Sequence, residues 1–169
     1  MKSVKVLLLL GAMTLAACQP TEPALGPDGK PLPQVYKITS KEAGLIPLRV
    51  QESMNSLRAV RGTAPVVLNP QLNAAAQAHA QDMAAQNRAW HWGSDGSSML
   101  DRGRRAGYPG QVIGENISET YETEIETLSA WMAVVDTRDV ILNPAATQMG
   151  FGWYQEPSGK IWWTMVTGN

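Results

Sequence analysis

Cysteine is almost missing from this chain: Cys18 is the only one among 169 residues. No intramolecular disulfide can form, so whatever folds must be held by packing. Histidine is nearly as scarce, with two in the chain, His79 and His91. Basic excess is absent as well. Lys and Arg number 14 against 15 Asp and Glu, which argues against an electrostatic nucleic-acid partner. No internal repeat or low-complexity tract follows the first forty residues. No nucleophile-elbow motif is present. The one long apolar run, Val6 to Ala17, falls short of the ~20 residues that a spanning helix needs.

That run follows the basic segment Met1-Lys2-Ser3-Val4-Lys5 and closes on Leu15-Ala16-Ala17-Cys18. The layout is that of a secretory signal, and its end resembles the bacterial lipobox, in which the cysteine is acylated and becomes the mature N-terminus. Residues 1–17 are therefore expected to be a lipoprotein signal and Cys18 the lipidation site, which makes the membrane a partner through lipid. Gln19 in the following position favours the outer membrane over the inner. From Gln19 to Gln34 the chain carries Pro20, Pro23, Pro27, Pro31 and Pro33 with Gly26 and Gly29. Such a segment reads as an extended tether, assigned to residues 18–40. Residues 41–169 are long enough for one domain with a single core.

Within that domain Pro47 suits the first turn of a helix and Gly62 its end, with Val50, Met54, Leu57 and Arg61 at helical spacing. Val66-Val67-Leu68 is a short extended run. Asn69 and Pro70 then start the strongest helix, to about Gln86, whose apolar stripe is Leu72, Ala75, Ala76, His79, Ala80 and Met83. His79 on that stripe reads as a core histidine satisfied by a hydrogen bond. Ser97 or Ser98 can cap a short helix that runs to Arg105 and ends at Gly107. Arg102, Arg104 and Arg105 read as a solvated face, with Asp95 or Asp101 as a partner. Gln111 to Ile117 reads as a strand. Thr123 and Glu126 form a capping box for a helix whose face is Ile125, Leu128, Trp131, Met132 and Val135. Met149–Tyr154 and Ile161–Val166 pair as a hairpin, with Trp162 and Trp163 on opposite sheet faces.

The chemistry-bearing stretch is Arg88 to Ile117. It sets His91 between Trp90 and Trp92 in a Gly/Ser-rich loop and ends in Gly114-Glu115-Asn116-Ile117. The order of motifs, from Asp82-Met83 through His91, Asp95-Gly96-Ser97, Arg102, Ala106-Gly107-Tyr108, Gly114-Glu115-Asn116-Ile117, Trp131, Ile141-Leu142-Asn143-Pro144 and Gly150-Phe151-Gly152 to Trp162-Trp163, resembles the CAP superfamily in its bacterial form. This is the domain of cysteine-rich secretory proteins, antigen 5 and plant pathogenesis-related proteins. The resemblance covers about Leu48 to Gly168. It implies an α+β fold, a three-layer α-β-α sandwich with a small, mainly antiparallel sheet and a cleft on one side. It also implies a cleft tetrad of two histidines and two glutamates, able in some members to hold a divalent metal. His91 and Glu115 match one of each, whereas Thr137 stands at the second histidine and Val134 near the second glutamate. With half the tetrad gone, neither a metal nor any other cofactor is expected.

The resulting expectation is a monomeric, lipid-anchored cell-envelope protein, facing the periplasm or the cell surface. Its cleft, rimmed by Trp90, Trp92 and Ser97, would bind a glycan, peptide or lipid without catalysis. The alternative is a hydrolase in which His91 and Glu115 act as an acid–base pair and Ser97 or Ser98 supplies a hydroxyl. A scaffold role is the third possibility.

Overall fold

The computed structural model describes residues 35–169. The signal-like run, Cys18 and the proline-rich segment to Gln34 lie outside the described residues.

Ten elements follow in order: α1 Ser40–Ala43, α2 Ile46–Val60, β1 Val67–Leu68, α3 Pro70–Gln86, α4 Met99–Arg105, β2 Val112–Thr120, α5 Glu124–Ala133, α6 Val135–Leu142, β3 Gln148–Gln155 and β4 Ile161–Gly168. The strands form one sheet in the order β1-β3-β4-β2. β3 and β4 are the hairpin, β2 runs antiparallel to β4 with Glu115 opposite Val166, and the short β1 adds parallel to β3. Helices cover both faces, which gives the three-layer α-β-α sandwich.

Alternation along β4 divides the core. Trp163 and Met165 face α2, α5 and α6, where Val50, Met54, Leu128, Trp131 and Ile141 join them. Trp162 faces α3 and packs with Ala80 and Met83. The alanine surface of α3 matters because β3 offers glycine opposite it. A Cβ on Gly150 would strike the backbone of Leu72, and one on Gly152 the backbone of Gln77 and Ala76. Small residues on both sides let helix and sheet approach until main chains touch, and this sets α3 as the fixed base of the loop that follows.

Helix ends obey their local signals. Asn69 accepts from the amides of Gln71 and Leu72 at the start of α3, and Thr123 with Glu126 closes a capping box on α5. Three expectations need correction. The last turn of α2 buries Arg58, and Arg61, just past its end, is exposed. The Arg58 guanidinium donates to the carbonyls of Ala64, Ile141, Asn143 and Ala146, so a charged side chain takes the inward place that the spacing gave to Leu57 and Arg61. Ile125, in the first turn of α5, is exposed, and so is Val135, the latter because the helix breaks at Val134, whose backbone is extended. The Thr137 hydroxyl donates to the Trp131 carbonyl at 2.6 Å, ending α5 and turning the chain into α6. Finally, residues 35–39, read as tether, lie on the domain. Tyr36 donates to Glu124 at 3.2 Å, and the Gln155 side chain bonds Ile38 N–H and Tyr36 C=O.

Candidate functional site

The loop from α3 to α4 is built around Asp82, near the end of α3. Its carboxylate accepts from Ser94 N–H at 2.7 Å and Ser94 Oγ at 2.5 Å, and also from Gln86. Asp95 then accepts from Ser97 N–H, across Gly96 at φ +78°. Ser98 caps α4, its hydroxyl donating to Asp101 at 2.6 Å. The result is a pinned turn that holds His91 over the start of β2.

Glu115 on β2 is the centre of the site. Its side chain is 1% exposed. Oε1 lies 2.9 Å from His91 Nδ1 and Oε2 lies 2.6 Å from Arg102 Nη2. Arg102 Nη1 also donates to the carbonyls of His91 and Ser97 at 3.1 and 2.9 Å, tying the loop to the carboxylate from behind. Burial pushes the Glu115 carboxyl up, but the His91 hydrogen bond and the Arg102 guanidinium outweigh it and hold the group below the usual carboxylate range. Glu115 is an anion at neutral pH.

His79 is buried, as a core histidine should be, and its Nε2 pairs with the Trp90 carbonyl at 3.0 Å. It is not remote from the cleft residues, however. Nε2 lies 3.8 Å from Glu115 Oε1. Burial holds the imidazole below its ordinary value, and the Glu115 charge offsets only part of this, so at neutral pH the two make no ion pair. His79 Nδ1 is buried with no hydrogen-bond partner among the described residues. His91 differs in kind, its side chain being 59% exposed.

Beside His91 a cleft of about 420 Å³ runs over Trp92, Met99, Ile113, Glu115 and Val140. Trp92 is half exposed at its rim. Trp90 is turned back on α3, its indole N–H on Gln86 and the Arg88 guanidinium 3.8 Å above its ring. Ser97 faces a separate hollow over Ala74, Ala75 and Ala78. Neither lines the cleft. Thr137 caps α5 and Val134 is exposed, so the altered tetrad positions put no side chain into it either. Val140 supplies that wall. A more open hollow of about 750 Å³ between Val60 and Pro144 brings no imidazole and buried carboxylate together, and the chemistry therefore points to the His91 cleft.

Of the three arginines, Arg104 and Arg105 are exposed and pair with Asp101 and Asp95, as expected. Arg102 is not on that solvated face. It is 7% exposed and belongs to the site. Its signal in the sequence is its place beside Gly103 and four residues before Ala106, on the inner side of a two-turn helix, which a count of charges conceals.

A layered sandwich with a buried carboxylate on its edge strand and an imidazole held beside it by a loop defines a class of small α+β domains. The sequence pattern of the cysteine-rich secretory protein family, CAP, matches residues 51–167, and the chain belongs to that family. It is 33% identical over 114 residues to the uncharacterized protein YkwD of Bacillus subtilis (strain 168), a match spanning 68% of this chain and 44% of the relative. Among solved structures, an extracellular protein containing a SCP domain from Bacillus anthracis str. Ames superposes with a TM-score of 0.70 at 20% identity, over 88% of this chain and 45% of that one. An outer surface protein from Borrelia burgdorferi gives 0.65 at 13% identity, over 80% and 98%. A cysteine-rich secretory protein from Staphylococcus aureus gives 0.64 at 14%, over 79% and 41%. The chain thus spans less than half the length of the two Bacillus proteins, and the structural likenesses establish the fold. No helix among the described residues is long and apolar enough to cross a membrane.

The metal that some relatives hold does not suit the donors present. His91 Nδ1 and Arg102 take one Glu115 oxygen each, and the guanidinium brings fixed positive charge to the place an ion would need. Thr137 spends its hydroxyl on helix carbonyls. Two histidines and a glutamate can make a zinc set, but here His79 Nε2 is on the Trp90 carbonyl, His91 Nδ1 is on Glu115 and Arg102 holds the other Glu115 oxygen, so an ion would have to displace these contacts.

Proposed function

We propose that this CAP-domain chain is a lipid-anchored protein of the bacterial envelope that uses the His91 cleft to bind a ligand without turning it over. One observation carries the reading: both oxygens of Glu115 are engaged by the protein itself, on His91 and on Arg102. A carboxylate so committed orients the imidazole and the loop, and with its side chain 1% exposed it is shielded from taking a proton from a bound ligand. The walls Trp92, Met99, Ile113 and Val140 supply apolar contact, and the exposed His91 ring a polar one, which suits recognition. The anchor rests on Cys18 at the end of an apolar run, and the extracellular and outer-surface descriptions of structural neighbours agree with an envelope location.

The second reading, a hydrolase, draws support from the 2.9 Å contact between His91 Nδ1 and Glu115, which leaves Nε2 on the solvent side. Against it, neither hydroxyl suggested for it is placed for the task. Ser98 donates to Asp101, and Ser97 faces the separate hollow over Ala74, Ala75 and Ala78.

Two measurements test the proposal. Cys18→Ser should move the chain from the membrane fraction to the soluble one, and unchanged membrane association refutes the anchor. The released chain should show shifts of the His91 and Trp92 ring resonances with at least one of three ligand classes: peptidoglycan fragments, phospholipid micelles or apolar peptides. The added compound should be recovered intact. Turnover abolished by His91→Ala would establish the hydrolase instead.

A further inference from the structure

The cleft lies along an open strand edge. β2 is the last strand of the sheet, bonded to β4 alone. Its far half is covered, since the Ile117 carbonyl accepts from the Trp131 indole at 3.2 Å and the Asn116 side chain reaches the Thr137 carbonyl at 2.8 Å. Main-chain groups two residues apart on a strand point to the same edge, so those of Glu115 point the way the Ile117 carbonyl does. Ile113 is the extra residue of a bulge, with no partner on β4. Among the described residues no loop, helix or side chain bonds the main chain of Ile113 or Glu115. Both residues line the cleft.

We propose, building on the binding role given above, that the occupant is an extended peptide that adds to β2 as a short fifth strand, pairing with the main chain of Ile113 and Glu115. A strand laid there points successive side chains to opposite sides. One set meets Val140 and the other meets Trp92 and Met99, so the peptide carries apolar residues at alternate positions. Main-chain pairing supplies affinity and the two side-chain walls supply selection, as in other strand-addition sites.

The polar inventory of the cleft decides between ligand classes. Of its polar side chains, Glu115 and Ser98 are already engaged, which leaves the His91 ring and the Trp92 indole N–H. A glycan would bury hydroxyls with too few partners, and an acyl chain would cover the strand edge and leave its N–H and C=O unpaired, at a cost of ~1–3 kcal/mol for each group. A peptide matches both. The chain's own proline-rich segment is a poor occupant, because Pro20, Pro23, Pro27, Pro31 and Pro33 remove strand donors throughout it. A second copy pairing edge to edge would have only the stretch Ile113 to Glu115, about 10 Å of strand, too little for a stable dimer.

The test uses the full chain carrying Cys18→Ser, isotope-labelled, with a pool of blocked octapeptides randomised over apolar residues at alternate positions. Binding members should shift the amide signals of Ile113 and Glu115, and N-methylation of alternate amides in the same peptides should weaken binding at least tenfold. N-methylated peptides that bind equally well, or shifts that fall elsewhere, overturn the strand pairing. If the pool leaves these amides unmoved while peptidoglycan fragments or phospholipid micelles shift His91, the peptide proposal fails and the cleft's binding role stands. If no ligand class moves His91, both fail. Concentration-dependent shifts at Ile113 and Glu115 without peptide would assign the edge to a second copy and also overturn the proposal.

Discussion

Replacing Arg102 by methionine is the sharpest test of how the site is held. The substitution keeps length and apolar volume and removes the guanidinium, leaving Glu115 at 1% exposure with His91 as its one remaining hydrogen-bond partner. Breaking a buried pair by deleting one member costs ~3–5 kcal/mol, because an uncompensated charge stays inside. The carbonyls of His91 and Ser97 also lose their donor, the second of these contacts being buried, so the loss falls toward the upper end of that range. Against a total of ~5–15 kcal/mol for a domain of this kind, such a loss should lower the urea midpoint by more than about 1 M, given slopes of ~1–3 kcal/mol/M. The partner experiment removes both charges. Arg102→Met with Glu115→Leu should recover most of the stability, since burying apolar groups in place of an ion pair is often neutral. It should still lack ligand binding, because nothing orients His91. A single-variant loss below about 1 kcal/mol, or a double variant less stable than the single, would refute the account of Arg102 as the group that keeps Glu115 charged and the loop closed.

Acid should weaken the fold in two stages. His79 and Glu115 both have folded pKa values below their ordinary ones, near 6.5 and 4.5. Each therefore contributes stability fully present above its unfolded value and lost as pH falls toward the folded one. Melting temperature should be flat above about pH 6.5, decline first as unfolded His79 takes a proton, then decline again below about pH 4.5. His79→Gln should remove the upper stage, and an unchanged profile would show that His79 does not titrate on unfolding. Gly152→Ala should cost about 1–3 kcal/mol in denaturant titrations, since its methyl meets the backbone of α3; a neutral result would mean that helix and sheet can separate freely. Elemental analysis of the purified chain should find no stoichiometric zinc, and a full equivalent would overturn the reading of Arg102 as an obstacle to an ion.

The layers were readable because their cause is periodic. The six inward positions of α3 named from spacing are the six it buries, and one tryptophan on each face of β4 follows from alternation alone. Caps were readable because each is a contact within three residues. What escaped were charged groups placed inside. Arg58 and Arg102 sit on inward helix positions and are satisfied by carbonyls and a carboxylate contributed from elsewhere in the chain. A pattern that counts arginine as a surface residue assigns the stripe to its neighbour, so Leu57 stands where the fold buries Arg58. The break at Val134 was hidden for a similar reason. A threonine hydroxyl ends α5, and the apolar residues around the break continue the helical spacing through it.

The same contrast separates His91 from His79. Rarity and flanking tryptophans mark His91 in the sequence, yet one of those tryptophans leaves the cleft to pack on α3, and the pairing that fixes the imidazole comes from a strand 24 residues away. His79 shows no mark at all, because an imidazole on an alanine-rich stripe satisfies the demands of a core. Only the fold brings it to within 3.8 Å of Glu115. The carboxylate is thus surrounded by an arginine that neutralises it, a buried imidazole kept neutral by its burial, and an exposed imidazole that alone reaches the cleft. That graded arrangement lets a buried charge orient the loop without being spent on chemistry, and it leaves ligand contact to His91, the apolar walls and the open edge of β2.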